Sequence, residues 1–596
     1  MNEAKRTWRY PFLVAVVSVL PFLVVLQLIR IQTNPEWVRK ITDASKNWEA
    51  EQKTIVPARG LIYDRWGNLL AGNRMVYEVG VELNSVIDPL MIAQTVSAVL
   101  GTTYKITYED ALYQTSIKPA KDAVHATLVD NVLPEDIVKL DNRIAEILKL
   151  TDEKSRHIPS PSFKGLVYTP HLGRIYPEKT LASNILGFIS LEGLEGIGYF
   201  GIEERFNAIL AAKVKTVMVP LDPNRVRDLP KVPNGESLIL TIDREIQRSM
   251  EEILDASVAS SGSASGTLVV IDPRNGEVLA LATTPRMDLN EFWDYGNVFP
   301  KETPFNRGIS QAYEPGSVFK VLTMAAALDA GVVTPETVFI DTGAIEVGGA
   351  LIYNWDMGAW GPQTMQGCMQ HSLNVCLAWV STQLGPENLY RYLQAFGIGR
   401  MTGVDLAGEA SGRLKVPGDS DWFAADQGTN AFGQGVSATP IQMAMAISSV
   451  ANHGEMMAPK IVRSVLSGDF QHEVEPRFIG SPIKRETAIT LSEMLARSLE
   501  KEASIALVTG YRVAGKTGTA EIPTPLGYTS NATNASFVGW GPYDDPRFLV
   551  YVWLEKPTTA PWGSVVAAPV FRQAVERLVI LLNLPPDDVR RQLTGN

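Results

Sequence analysis

Glu314-Pro315-Gly316-Ser317-Val318-Phe319-Lys320-Val321-Leu322-Thr323-Met324-Ala325-Ala326-Ala327-Leu328-Asp329-Ala330-Gly331 is the stretch on which the reading of this chain turns. Pro315 and Gly316 punctuate the chain. The apolar residues after Ser317 then run on to Gly331, which predicts a helix that starts near Ser317, is buried on most sides and ends at the glycine. Residues three apart share a helix face, so Lys320 lies one turn beyond Ser317. A serine hydroxyl is a weak nucleophile until a base takes its proton. Lysine serves as that base only when partly neutral near pH 7, and burial beside a second cation favours this. The helix N-terminus also offers a backbone N–H to an oxyanion. Taken alone, an ordinary N-cap serine followed by a surface lysine spells the same four letters.

Two further motifs follow in order. Ser372-Leu373-Asn374 sits in Thr364–Trp379, which reads as a helix, a short break and a second helix. There Ser372 is a candidate to pass a proton toward a leaving amine, and Asn374 to hold a substrate amide. Helix capping is the plain alternative for both. Lys516-Thr517-Gly518-Thr519 is the third motif, and it overlaps a rival pattern. Gly510 to Thr517 fits G-x-x-x-x-G-K-[ST], the phosphate-binding loop. Such a loop must open a helix whose N-terminus holds the phosphate. The residues that follow here include Gly518, Pro523, Pro525 and Gly527, which do not open one. Read instead as an edge strand, Arg512–Thr519 presents Lys516 and the hydroxyls of Thr517 and Thr519, a set suited to a carboxylate. Gly518 lies between the threonines. Lys516 is the candidate second cation beside Lys320, and the Thr519 N–H a second oxyanion donor.

Composition narrows the field. The six histidines form no H-E-x-x-H or clustered Cys/His pattern, and no serine stands in a G-x-S-x-G elbow. No metal and no cofactor are expected. A net charge of −11 without a long basic run argues against nucleic acid as a partner. At 596 residues the chain is long enough for several domains. Tyr10–Ile29 is almost wholly apolar, and about twenty such residues cross a bilayer core. Lys5, Arg6 and Arg9 precede it, which sets residues 1–9 as a cytoplasmic stub, 10–30 as a single-pass anchor and the rest as extracytoplasmic. No small-x-small cleavage site follows, so an uncleaved anchor is favoured over a signal peptide.

Ala58–Ala71 reads as strand, glycine turn, strand. Residues 75–175 mix helix and strand with no catalytic constellation. Prolines at 220, 223, 230 and 233 mark residues 216–236 as a linker. Leu238–Asp243 is a strand, with Asp243 poised to cap the helix that carries Gln247, Met250, Ile253 and Leu254. Two β-rich runs flank Asp272-Pro273-Arg274-Asn275-Gly276, a hairpin signal. A second hairpin joins Ala535–Pro542 to Arg547–Leu554, and a helix follows from about Val565 to Leu582. Strands at both ends and helices between them predict an α+β fold for residues 236–596, an antiparallel sheet covered by helices with a helical insert. An α/β domain over residues 31–235 precedes it. Cys368 and Cys376 lie eight residues apart in helical sequence, roughly 12 Å along a helix axis. That is too far for a disulfide within one helix, so they read as small buried apolar residues.

Together these residues resemble a class B penicillin-binding protein, a monofunctional peptidoglycan D,D-transpeptidase. S-x-x-K, S-x-N and K-T-G are the shared set of penicillin-binding proteins and serine β-lactamases. The resemblance extends over Arg59-Gly60, Asp64-Arg65 and Gly67, then Phe432-Gly433-Gln434-Gly435, Thr439-Pro440-Ile441-Gln442 and the anchor. Phe396-Gly397-Ile398-Gly399, with Glu409 and Gly412, is more similar to septal or spore-type members than to side-wall ones. The resemblance implies a penicillin-binding transpeptidase fold on a pedestal or dimerisation-type domain. It implies stem peptides ending in D-Ala-D-Ala as substrate, Ser317 as nucleophile, Lys320 as base, and Ser372 and Lys516 as proton relay. Asn374 would position the donor amide. Lys516, Thr517, Gly518 and Thr519 would line the carboxylate site, and β-lactams would acylate Ser317. A polytopic membrane glycosyltransferase is the implied partner. Side-wall elongation and a scaffold role for that glycosyltransferase are the alternatives. A β-lactam sensor is disfavoured by the short stub, and a bifunctional enzyme by the lack of an E-D-x-x-F motif in residues 55–235.

Overall fold

Strands β1 (Ser265–Ile271), β2 (Val278–Thr283), β3 (Ala514–Thr524), β4 (Gly527–Gly541) and β5 (Phe548–Glu555) form an antiparallel sheet in the computed structural model. Their order is β2-β1-β5-β4-β3, which leaves β3 at an edge as the sequence predicts. The structure describes residues 8–40, 50–120, 124–154, 161–190, 196–220, 232–300, 302–502, 504–524 and 527–594. Strand alternation divides the core between the two faces of the sheet. Leu268, Val270, Val550, Val552 and Leu554 pack with Ile246, Met250 and Leu254 of helix α1 (Arg244–Ser261) and with Phe571, Ala574 and Leu578 near the C-terminus. Val269, Ile271, Leu549, Tyr551 and Trp553 join the opposite cluster, which contains helix α2 (Lys320–Asp329). Both faces are therefore covered, which explains why these strands read as continuous apolar runs. Asp243 caps α1 as expected, accepting from the backbone N–H groups of Glu245 and Ile246 at 3.0 and 3.2 Å.

A second sheet runs through residues 58–211 and on into the later chain. Ile62–Tyr63 pairs antiparallel with Leu69–Glu82 and parallel with Ser237–Leu240. Leu69–Glu82 also pairs with His125–Val132 and Leu166–Ile175. Residues 58–211 and 235–596 make up one compact unit. The other, residues 1–57 and 212–234, holds the helix Arg9–Thr33 and an antiparallel ribbon of Ala50–Ile55 with Lys215–Pro220. The helix exposes its apolar side chains along its length, as a membrane-spanning segment would. The predicted linker is thus part strand: Lys215–Pro220 pairs in the ribbon, while residues 221–231 lie outside the described residues. Residues 1–7 of the stub also lie outside them.

The reading of the cysteines is overturned. Helix α3 (Met365–Gln370) ends before helix α4 (Asn374–Leu384) begins, and Ser372 between them has φ +56°. That left-handed residue turns the chain back. Cys368 and Cys376 then stand 6.1 Å apart at Cα and form a disulfide. The distance argument assumed one unbroken helix, and the break removes its premise. In denaturant, a thiol reagent should titrate no cysteine before reduction and two after it. The paired substitution Cys368→Ser and Cys376→Ser should lower unfolding stability by about 2–3 kcal/mol, the scale for so short a loop. Two free thiols in the unreduced protein would contradict the assignment.

Candidate active site

Three separate pieces of chain converge on one half-buried serine hydroxyl. Ser317 lies in a 3₁₀ turn, Gly316–Phe319, that leads directly into α2 at Lys320. Ser372 and Asn374 occupy the break between α3 and α4. Lys516 lies on the edge strand β3. Lys320 is fully buried and Lys516 only 4% exposed. The Lys320 amine donates to the Asn374 Oδ1 at 2.7 Å and to the Ser372 carbonyl at 2.6 Å, and lies 3.2 Å from the Ser372 Oγ. The Lys516 amine lies 2.9 Å from the same Oγ and 3.1 Å from the Thr517 carbonyl. One serine hydroxyl therefore stands between two lysine amines.

Glycines permit the close approach of turn and strand. Gly316 has φ +60°, and a Cβ there would fall 2.7 Å from the Thr519 carbonyl oxygen. At Gly518 a Cβ would fall 2.2 Å from the Ser536 Oγ and 2.9 Å from Val318. The K-T-G-T strand can lie against the serine turn only because neither residue has a side chain.

Electrostatics follow from burial. Desolvation, and after it the charge of Lys516, pushes the Lys320 amine well below its ordinary value of 10.5. Desolvation brings Lys516 down to about 7. A lysine with such a depressed value is a competent proton acceptor near neutrality.

The structure joins part of the sequence-predicted set directly. Lys320, Ser372, Asn374, Lys516 and Thr517 are joined by the contacts above. Thr519 accepts from the Gly563 N–H at 3.0 Å through its Oγ1. Ser317 is half-buried on the turn before Lys320. The rejected phosphate-loop pattern at Gly510–Thr517 runs into a strand, not a helix. Among the described residues no group of three or more His, Cys, Asp or Glu is arranged to hold a metal.

Other parts of the site were not singled out in the sequence. The Asn374 amide donates to the Tyr353 carbonyl at 3.1 Å, and Asn354 accepts from the Val375 N–H at 3.2 Å through its Oδ1. Trp355 and Trp562 meet nearly edge to face, with centroids 5.6 Å apart, and the Trp355 indole N–H donates to the His371 carbonyl. No motif marks these residues. Their contacts come from folding together segments far apart in the chain.

Most of the chain matches known families. Residues 266–576 match the family described as the penicillin binding protein transpeptidase domain, and residues 54–232 match the penicillin-binding protein dimerisation domain. Stage V sporulation protein D of Bacillus subtilis is 32% identical over 546 residues, covering 89% of this chain and 79% of that one. Peptidoglycan D,D-transpeptidase FtsI of Buchnera aphidicola is 25% identical over 591 residues, 96% of each chain. The crystal structure of penicillin binding protein 3 from Mycobacterium tuberculosis, complexed with aztreonam, is similar with a TM-score of 0.67 and 25% identity. The match covers 90% of this chain and 98% of that one.

The depressed lysine fixes the sign of a stability measurement. Between about 7 and 10.5 the unfolded chain holds a proton on Lys516 that the folded chain lacks. Folding stability therefore rises with pH through that window and falls as pH drops through it, by up to about 1.4 kcal/mol per pH unit. Lys516→Met should make this rise shallower, leaving the part that comes from Lys320. Urea denaturation of both proteins from pH 7 to 10 measures it, and parallel stability curves would contradict a depressed Lys516.

Proposed function

The chain belongs to the class B penicillin-binding proteins, and we propose a residue-level mechanism for its serine-type peptidoglycan D,D-transpeptidase activity in division or septation. The observation that carries the mechanism is the Ser372 hydroxyl held between the Lys320 and Lys516 amines at 3.2 and 2.9 Å. Neutral Lys320 takes the proton of the Ser317 Oγ as that oxygen attacks the penultimate D-Ala carbonyl of a stem peptide. The N–H groups of Ser317 and Thr519 hold the oxyanion. The proton passes by way of Ser372, and with Lys516, to the nitrogen of the terminal D-Ala. The C–N bond breaks, D-Ala leaves and an ester remains on Ser317. The amine of a neighbouring stem then attacks the ester, loses a proton along the same path and forms the crosslink amide. Ser317 recovers its proton. Water in place of the amine gives hydrolysis.

Lys516, Thr517 and Thr519 bind the terminal carboxylate, with Gly518 keeping the strand close to the nucleophile. Asn374 orients the donor amide. The same carboxylate site accepts a β-lactam, whose ring carbonyl acylates Ser317. The relatives include a protein solved with aztreonam, which supports the drug as a ligand of this site too.

The remaining parts are assigned by support of a different kind. The apolar helix anchors the chain in the bacterial cell membrane once. The lysine and arginines before it favour a cytoplasmic N-terminus and an extracytoplasmic catalytic domain, residues 236–596. Residues 31–235 serve as a non-catalytic pedestal that docks a polytopic membrane glycosyltransferase. Their support is the absence of catalytic motifs there and their position directly after the anchor. Division is favoured over side-wall growth by the names of the relatives, and the complete lysine pair speaks against a purely scaffolding role.

Ser317→Ala should abolish covalent labelling by a fluorescent penicillin. Lys320→Arg should fail as well, because a guanidinium does not deprotonate. Substantial labelling of the arginine variant would point to a different base.

The acylation rate constant of the free enzyme should be bell-shaped in pH. It falls on the acid side as Lys320 gains a proton. On the alkaline side it falls above about 7 as Lys516 loses its charge. Lys516→Arg should be slower but keep no alkaline fall near that value, and persistence of the fall would remove Lys516 from the carboxylate site.

A further inference from the structure

We infer that Glu314 is a positioning residue of the transpeptidase site, bolting the β3–β4 hairpin, through Tyr528, onto the turn that carries Ser317. The inference rests on the assignment of Ser317 as nucleophile.

Glu314 stands three residues before Ser317. Its carboxylate accepts from the Tyr528 hydroxyl at 2.9 and 3.1 Å and from the Gly435 N–H at 3.1 Å. Three pieces of chain are tied by this one group. The first is the serine turn itself. The second is the loop at Gly433–Gly435, which also accepts from the Gly316 N–H through the Gly433 carbonyl at 3.1 Å. The third is the hairpin. Tyr528 stands opposite Pro523, next to the terminal pair Thr524 and Gly527.

The hairpin needs such a bolt. Its first strand carries Lys516, Thr517 and Thr519, so the position of the strand sets the carboxylate site. Beyond Thr519 the register slips between Glu521 and Pro523, and the ladder there is irregular. Tyr528 is 44% exposed, so its ring is not fixed by burial in a core. Its hydroxyl is held instead by both oxygens of the Glu314 carboxyl group. Burial raises the Glu314 carboxyl above its ordinary value, and the Tyr528 hydroxyl, the Gly435 N–H and the charge of Lys415 oppose that rise. A small shift of the strand relative to the nucleophile is enough to slow a reaction that depends on near-contact geometry.

A double-mutant cycle on the full-length protein tests this, with benzylpenicillin acylation rate as the readout and thermal melting as the control. Glu314→Ala and Tyr528→Phe should each slow acylation roughly tenfold, the scale of one hydrogen bond to a charged group. The double variant should be no slower than the slower single one, because both remove the same tie. Glu314→Gln keeps an acceptor oxygen and should recover most of the loss. Multiplying losses, a Tyr528→Phe variant as fast as wild type, or a glutamine variant as slow as alanine would each overturn the inference. Wild-type labelling of Ser317→Ala would overturn the nucleophile assignment instead, so the two failures are distinguishable.

Discussion

Two lysine amines are buried around one serine hydroxyl, and the rest of the catalytic unit is arranged to keep them there. Burying one ammonium is costly, and burying two side by side more so. The arrangement holds because burial lowers the proton affinity of both amines and because each has acceptors close at hand. Lys320 reaches the Ser372 carbonyl and the Asn374 Oδ1, and Lys516 reaches the Thr517 carbonyl. The same desolvation that makes the site expensive lowers the proton affinity of Lys320.

This constraint dictates how the surroundings are built. A helix, a helix break and an edge strand must each deliver one polar group to within hydrogen-bond reach. The sheet supplies a rigid frame, since its strands are packed on both faces. The helix break is pinned by the bond between Cys368 and Cys376, which brackets Ser372 and Asn374. The strand is drawn in against the serine turn by the missing side chains at Gly316 and Gly518. Each device removes freedom from a group whose placement matters for proton transfer.

The N-terminal segment follows a different logic. Strand Ile62–Tyr63 pairs with Ser237–Leu240, so residues 58–211 share a sheet with residues that follow them by well over a hundred positions. Within residues 58–211, a buried Glu203 carboxylate joins distant segments, receiving the guanidinium of Arg59 at 2.7 Å and that of Arg174 at 2.8 Å. The proline-marked boundary near 216–236 is a feature of the sequence, whereas the sheet joins chain on either side of it.

Local signals carried much of this protein in its sequence. The helix after Ser317 is apolar on most sides because it is buried, and its pattern says so. The hairpins announced themselves by their β-rich runs and, for the first, by the turn at Asp272–Gly276, and Asp243 by its place before a helical run. Ser317, Lys320, Ser372, Asn374 and Lys516 could be picked out as candidates because each motif is a short local run. Tertiary structure decided what depends on distance. The cysteine pair was misread because an axial rise applies only to an unbroken helix, and the positive φ of Ser372 becomes visible only when the chain is folded. The strand at Lys215–Pro220 was hidden because its partner lies far away at Ala50–Ile55, and a pairing across that span leaves no local pattern. The same holds for Glu314 and Tyr528, and for the acceptors around the lysines. Sequence determined which groups are present and the helix or strand state of the strongly patterned segments. Only folding decided which groups share a dry space, and it is that shared space that shifts the lysines' proton affinity.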